Sequence, residues 1–487
     1  MTAPLRIPFP VVDEVSRHCL QEEEPETVHI EVHLPGELDP GRLRKAFLEA
    51  LRRHPRILMR EAPGPWYRRR YEWELTDGPD VEVVRFAPPG PGALRDARAR
   101  TLTQAPPLTA SPPIRLELVN APGATGTGGS GPAVGAAAGT DGERATAAGG
   151  GRAGGAGDTA LAGPGDRPGD GAGRGTGDGA AGRPAAPTGS ALLLTVNHTA
   201  LDGPACLRIL ATAAEIYGGR DNSAAAPPVR RPEPAQAGAP DTPSPWSPPA
   251  RVAPGTPDPD QRTGNGLIVS ELPLPHRPKG APYTVNDQLM VATALTLARW
   301  NRERGARPRP LRITMPVDDR PRDATMPIGN GTRLVEVPFA LAELDTSDLS
   351  GLLHRTALRT RALKSLSRPP LGRGANLLTA PWAPVAARRV LARALRRAAA
   401  PLLSTTLLSN IGRIPYPLDF GEEAGSAHAV WFSAPSRMPR GLTFTTASTA
   451  GRLHLSVRWS RALLGQADGA RLHDLFAHHL HSTEATP

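Results

Sequence analysis

Cysteine is almost missing from this chain of 487 residues. The two copies, Cys19 and Cys206, stand far apart, which excludes a disulfide-dense scaffold and fits a reduced intracellular protein. Aromatic residues make up only 4%, whereas Pro and Gly number 56 and 51, so non-globular stretches must dilute globular ones. No apolar run reaches the roughly 18 residues that a membrane span requires. The first residues, Met1-Thr2-Ala3-Pro4-Leu5-Arg6, lead into mixed polar sequence rather than the apolar stretch of a signal peptide. The expectation is a soluble cytoplasmic protein without a membrane span.

Other absences narrow the function. No zinc-ligand spacing, heptad or interleaved basic and aromatic pattern accompanies the excess of 57 Lys and Arg over 47 Asp and Glu. A nucleic-acid partner is therefore not expected. An anionic membrane surface or acidic partners, such as carrier proteins or phosphate-bearing cofactors, remain. No Gly-rich phosphate loop or nucleophile elbow is present, and nothing points to a metal, nucleotide or flavin. His478, His479 and His481 lack a carboxylate or cysteine at ligand spacing and read as a frayed helix end. Arg388, Arg389, Arg393, Arg396 and Arg397 cluster after Pro384 and read as a solvated helix face, with docking of an acidic carrier protein or of cofactor phosphates as the functional alternative.

What is present divides into two folded halves. Residues 27–34 alternate with period two, as in a half-buried strand, and Asp39 can cap a helix bearing Leu43, Ala46, Phe47, Ala50 and Leu51 on one face. Strands are expected at 71–75, 81–86, 114–119 and 191–196, the last a continuous apolar run suited to a central position. Residues 121–190 contain no aromatic side chain and only Val134 and Leu161 as large aliphatics. Such a segment cannot bury enough apolar surface to offset its ordering entropy, and it reads as disordered. A Pro-rich stretch at 223–263 reads as an extended linker. Beyond it come strands at 266–272, 311–316, 333–337, 405–409, 428–433, 443–447 and 453–459. Helices are expected at 285–303, 346–366, 384–399 and 467–481. Neither half shows regular βαβ alternation, so an α+β sandwich repeated twice is the natural architecture.

The sharpest local feature is Asn197-His198-Thr199-Ala200-Leu201-Asp202-Gly203, leaving a buried strand and entering a helix. A histidine at a strand end, followed by a tight turn at Gly203, can sit at the mouth of a cleft. Its proton affinity near neutral pH suits taking a proton from a hydroxyl or amine that attacks a carbonyl. Asp202 would fix the turn. The alternative on spacing alone is a buried polar turn whose aspartate is an ordinary helix cap.

The segment resembles the His-His-Xaa-Xaa-Xaa-Asp-Gly signature of condensation domains, a superfamily that includes polyketide-associated acyltransferases, wax ester synthases, plant BAHD acyltransferases and chloramphenicol acetyltransferase. Further likenesses follow in the family's order. They are Leu38-Asp39 with His54-Pro55, then Thr284-Val285-Asn286-Asp287, then Met315-Pro316-Val317-Asp318-Asp319-Arg320-Pro321 with Gly329-Asn330. Leu408-Ser409-Asn410-Ile411-Gly412-Arg413 and Asp419-Phe420-Gly421 complete the series. Asn197 departs from the signature, standing where the first histidine usually is.

The resemblance implies an α+β fold of two chloramphenicol-acetyltransferase-like sandwich subdomains set in a V about a central tunnel. Residues 1–222 would form the N-terminal subdomain with the motif, and 264–487 the C-terminal one. It implies His198 as general base, with Asp202 and Gly203 in the catalytic turn and an Asp202–Arg320 salt bridge across the cleft. Ser409, Asn410 and Asn197 are candidates for oxyanion or substrate contacts. The implied reaction moves an acyl group from a phosphopantetheine thioester, on coenzyme A or an acidic carrier protein, to a hydroxyl or amine, with no tightly bound cofactor and as a monomer. Amide-forming condensation, or a non-catalytic partner-recruiting role, are the rivals.

Overall fold

The structure, a computed structural model, describes residues 4–20, 23–88, 90–120, 189–220, 248–260, 263–323, 325–344, 346–366, 375 and 378–484. These residues all belong to one compact unit. The segment expected to be disordered lies outside the described residues, apart from Gly189 and Ser190, where a strand already begins.

In the first half the elements run β1 (Arg6–Pro8), α1 (Val11–His18), β2 (Thr27–Leu34), α2 (Pro40–Arg53), β3 (Met59–Glu61), β4 (Glu72–Leu75) and β5 (Val84–Phe86). There follow α3 (Ala93–Thr103), β6 (Ile114–Asn120), β7 (Ser190–Asn197) and α4 (Gly203–Gly218). The second half holds β8 (Asn265–Pro273), α5 (Val285–Glu303), β9 (Leu311–Asp318), β10 (Thr332–Phe339), α6 (Leu349–Ser365) and α7 (Val385–Ala398). It closes with β11 (Thr406–Arg413), β12 (Ala429–Ser433), β13 (Leu442–Thr449), β14 (Arg452–Ser460) and α8 (Gln466–Ser482).

Three sheets result, ordered β1-β4-β3, β12-β2-β7-β6-β5 and β10-β9-β11-β13-β14-β8. The fold is α+β, as the mixture of strand and helix patterns requires. Asp39 accepts the Arg42 N–H at 2.6 Å and starts α2. Its Leu43, Phe47, Ala50 and Leu51 pack into the first core with Val28, Ile30, Val32 and Leu34 of β2. Thr284 caps α5, its backbone N–H donating to Asp287 at 2.8 Å, and the helix packs into a second core with β9, β13 and β14.

Three expectations are corrected by this packing. Strand β2 is buried along its whole length rather than half-buried. Its polar face carries Glu31, which accepts the Arg98 Nε–H of α3 at 2.8 Å and contacts His33 at 2.7 Å. Burial alone would raise the pKa of Glu31, but Arg98 pulls it well below the usual carboxylate range. The arginines of α7 are not simply a solvated face. Arg388 is fully buried, paired with Glu14 of α1 and bonded to the carbonyls of Leu378 and Ala383 at 3.0 and 3.1 Å. The described part of the Pro-rich stretch, 248–260, is not a free spacer either, since Ala250, Val252 and Ala253 enter the second core.

The halves are also interleaved. Strand β12 lies in the second half yet pairs antiparallel with β2, matching Ala429 to His33 and Ser433 to His29. Phe420, Val430 and Phe432 thereby join the first core. No helix among the described residues is long and apolar enough to cross a membrane.

Candidate active site

Strand β7 ends at Asn197, and α4 begins at Gly203, leaving His198–Asp202 as the connecting turn. The backbone N–H of His198 donates to the Glu26 carbonyl at 2.8 Å, and that of Ala200 to Asn197 at 2.9 Å. Nδ1 of His198 lies 2.9 Å from the Leu201 carbonyl oxygen. A carbonyl can only accept, so in the neutral ring Nδ1 carries the proton and Nε2 the lone pair. Nε2 has no hydrogen-bond partner among the described residues, and the half-buried ring lines a cavity of about 1820 Å³ walled by both halves.

Asp202 does two things at once. Its Oδ1 accepts the Ala205 N–H at 3.1 Å and caps α4. Both oxygens also accept from Nη2 of Arg320, at 2.8 and 2.7 Å, and Oδ2 accepts the N–H of Gly331 and Thr332 at 2.8 and 3.2 Å. Cap and cross-half pair therefore coexist. Arg320 is bound on every side, with Nε donating to Asp318 at 2.9 Å and Nη1 to the carbonyls of Gly329 and Pro327 at 2.9 and 3.3 Å. Burial opposes its charge, but the bonds to Asp318 and Asp202 outweigh that and raise its pKa above the ordinary value.

A second grip on the turn was not foreseen. Nδ2 of Asn330 donates to the carbonyls of Thr199 and His198, at 2.9 and 3.2 Å, and to Oδ1 of Asp13 at 2.9 Å. Asp13 sits on α1, where Trp73 Nε1 also donates to it at 2.9 Å. Burial raises its pKa despite these bonds. Nothing in the sequence Val-Val-Asp-Glu-Val-Ser-Arg-His marks a buried aspartate. The sole available signal was Asn330, which stands in the quoted Gly-Asn step.

The remaining expected residues divide. Ser409 and Asn410 lie on β11 and line the cavity. Asn410 Oδ1 accepts the Gly412 N–H at 2.9 Å and the Thr446 hydroxyl at 3.1 Å, which holds a bulge in β11. The Ser409 hydroxyl makes no hydrogen bond among the described residues and is the freer donor. Asn197 is corrected. Its Nδ2 donates to the Pro106 carbonyl at 3.2 Å and its Oδ1 accepts the Thr199 N–H at 3.1 Å, so its amide braces the turn away from the cavity. Gly203 is corrected too: a Cβ there would meet Phe432 and Ile411 at 3.6 and 3.7 Å, ordinary contacts. The turn does not need glycine for its backbone; the missing side chain leaves room in the cavity. Among the described residues, no group of three or more His, Cys, Asp or Glu is gathered as for a metal.

No family model matches the chain. Uncharacterized proteins from two strains of Mycobacterium tuberculosis are each 31% identical over 284 residues, 52% of this chain. The chain spans 64% of the length of these relatives. Among solved structures, the first condensation domain of the CDA synthetase aligns with TM-score 0.57 and 14% identity, over 99% of this chain and 97% of its own. The starter condensation domain of rhizomide synthetase gives 0.52 at 11% identity, over 99% and 97% of the two chains. The trichothecene 15-O-acetyltransferase of Fusarium sporotrichioides gives 0.58 at 11%, over 98% and 95%.

Proposed function

Because the chain has the condensation-domain and chloramphenicol-acetyltransferase-like fold, we propose that it is an acyltransferase with His198 as general base. The donor is a phosphopantetheine thioester, on coenzyme A or a carrier protein, and the acceptor a hydroxyl or amine. One observation carries this reading: the Leu201 carbonyl fixes the proton on Nδ1 and leaves Nε2 open to a large cavity.

Nε2 takes the acceptor's proton as its oxygen or nitrogen attacks the thioester carbonyl. The imidazolium then returns the proton to the departing thiolate, and no charge is left on the protein. Asp202 acts as a positioning residue. It is saturated by donors and fixes the turn through Arg320 instead of taking a proton itself. Ser409, whose hydroxyl lines the cavity without a hydrogen bond among the described residues, would donate to the oxyanion, a contact of the kind typically worth about 3 kcal/mol.

Release of free thiol from acyl-coenzyme A and from an acyl carrier protein, with alcohol and amine acceptors, tests the proposal. His198→Ala should lower turnover by roughly 10²–10⁴-fold while the melting temperature stays near that of wild type. Turnover within a few-fold of wild type would overturn the mechanism. Amide products formed only from two carrier-bound substrates would favour peptide-type condensation. A folded wild type that turns over no thioester would leave a partner-recruiting protein.

A further inference from the structure

The cavity has a floor with a direction. Leu407, Ser409 and Ile411 of β11 line it, as residues two apart on a strand share a face. Thr443 and Thr445 of β13, paired with Leu407 and Ser409, lie alongside. One end, at Ile411, packs close to Gly203 and so to the His198 turn. The other end, at Leu407, lies four residues back along the strand, at most about 13 Å at 3.3 Å per residue and shortened by the bulge at Asn410 and Gly412.

That far end is basic and incompletely paired. Arg440 lines the cavity just before β13, its Nε donating to the Ser404 hydroxyl at 3.1 Å and its Nη2 reaching Thr314 at 3.4 Å. Arg396 of α7 also lines the cavity, bonded to the carbonyls of Cys19 and Met438 at 3.1 and 2.6 Å. Arg437 bonds the same Cys19 carbonyl at 3.0 Å and pairs with Glu26. Three guanidiniums therefore share this wall with one directly bound carboxylate, Glu26. Glu24 accepts the Met438 N–H at 2.7 Å. Arg440 forms no ion pair among the described residues, and three of its five N–H groups remain free of protein acceptors. Burial, then the neighbouring charge of Arg437, pushes its pKa down to about 10, although the charge of Glu336 pulls it the other way. It stays charged at neutral pH.

Resting on the acyl-transfer reading, we propose that Arg440 and Arg396 form a subsite for an anionic oxygen group on the substrate. That group, a carboxylate or a phosphate, would be held at the Leu407 end of the floor, away from the His198 turn. Leu395, Leu403 and Leu407, on the same cavity wall, suit an apolar segment joining the two ends. A guanidinium with parallel free N–H groups matches either oxyacid bidentately.

The test is calorimetric titration of the intact chain with decanoyl-coenzyme A, its ω-carboxy analogue, free coenzyme A and free sebacate. Wild type, Arg440→Gln and Arg440→Lys are compared, with melting temperatures as the check on folding. Wild type should bind the carboxylated thioester roughly tenfold or more tighter than the plain one. Arg440→Gln should abolish that preference, and Arg440→Lys should keep part of it. If Arg440→Gln weakens free coenzyme A by a similar factor instead, the anion recognised is the donor's phosphate. Equal affinities for all ligands in folded wild type and Arg440→Gln would overturn the subsite. Arg440-dependent binding of sebacate without binding of any thioester would keep the subsite and remove the acyl-transfer reading. Binding of no ligand would remove both.

Discussion

Two carboxylates flank the His198 turn, and the protein treats them differently. Asp202 meets a full guanidinium and two backbone N–H groups from the second half, besides capping its own helix. Asp13 meets the neutral amide of Asn330 and the Trp73 indole, with Arg56 at 3.5 Å. Both grips come from one stretch, 318–332, reaching across from the second half. The ionic grip neutralises a buried charge and fixes where the turn sits. The amide grip orients two backbone carbonyls and leaves Asp13 with its pKa raised by burial.

The contrast breaks most visibly at Arg320. Arg320→Ala removes the guanidinium from the buried Asp202 carboxylate and should cost about 3–5 kcal/mol, read as a lower melting temperature. A loss below about 1 kcal/mol, the range of an exposed pair, would show that the grip is not ionic. Asn330→Ala should cost less, about 1–3 kcal/mol, because it removes one neutral donor from buried acceptors. Denaturant titrations of the two variants side by side rank them, and the reverse order would refute the contrast.

Acidity sharpens the comparison. Asp13 has a folded pKa above its ordinary 3.8, so the folded state holds the proton more tightly than the unfolded chain does. Its contribution to stability is therefore lost as pH rises through the window between 3.8 and the raised value. Asp13→Asn should flatten that fall while retaining an oxygen for Asn330. Unchanged pH dependence of unfolding in the variant would contradict it.

The smallest effects separate two glycines. A Cβ on Gly331 would come within 2.6 Å of Arg320 Nε and force the guanidinium to shift, at a cost of about 1–3 kcal/mol. Gly203→Ala makes only ordinary contacts, so stability should change by at most about 0.5 kcal/mol, while KM rises as the methyl enters the cavity. Equal melting temperatures for the two variants would mean the Arg320 pocket is loose.

Most of the strands and long helices stood in the sequence as periodicity, and the motif turn as a strand running into a capped helix. What escaped depends on contacts far along the chain. Arg388 looks like any surface arginine until Glu14, 374 residues away, is brought against it. Strand β12 directly precedes β13 along the chain, yet it pairs with β2. Helix α1 is short, and its buried Asp13, Glu14 and His18 break the apolar pattern that marks a core face. Polar residues buried by distant partners leave no local trace. Arg320 and Asp202 belong to quoted motifs and so drew attention, whereas Asp13 belongs to none.

The second half holds the His198 turn in place through Asp202 and Arg320. A double-mutant cycle on kcat/KM for acyl transfer, with Asp202→Asn, Arg320→Gln and the pair, tests it most directly. Each single change should lower kcat/KM strongly, and the double variant should lose much less than the sum, with a coupling of roughly 1–3 kcal/mol. Additive losses would mean that the two residues act independently and that the turn is not held from the second half.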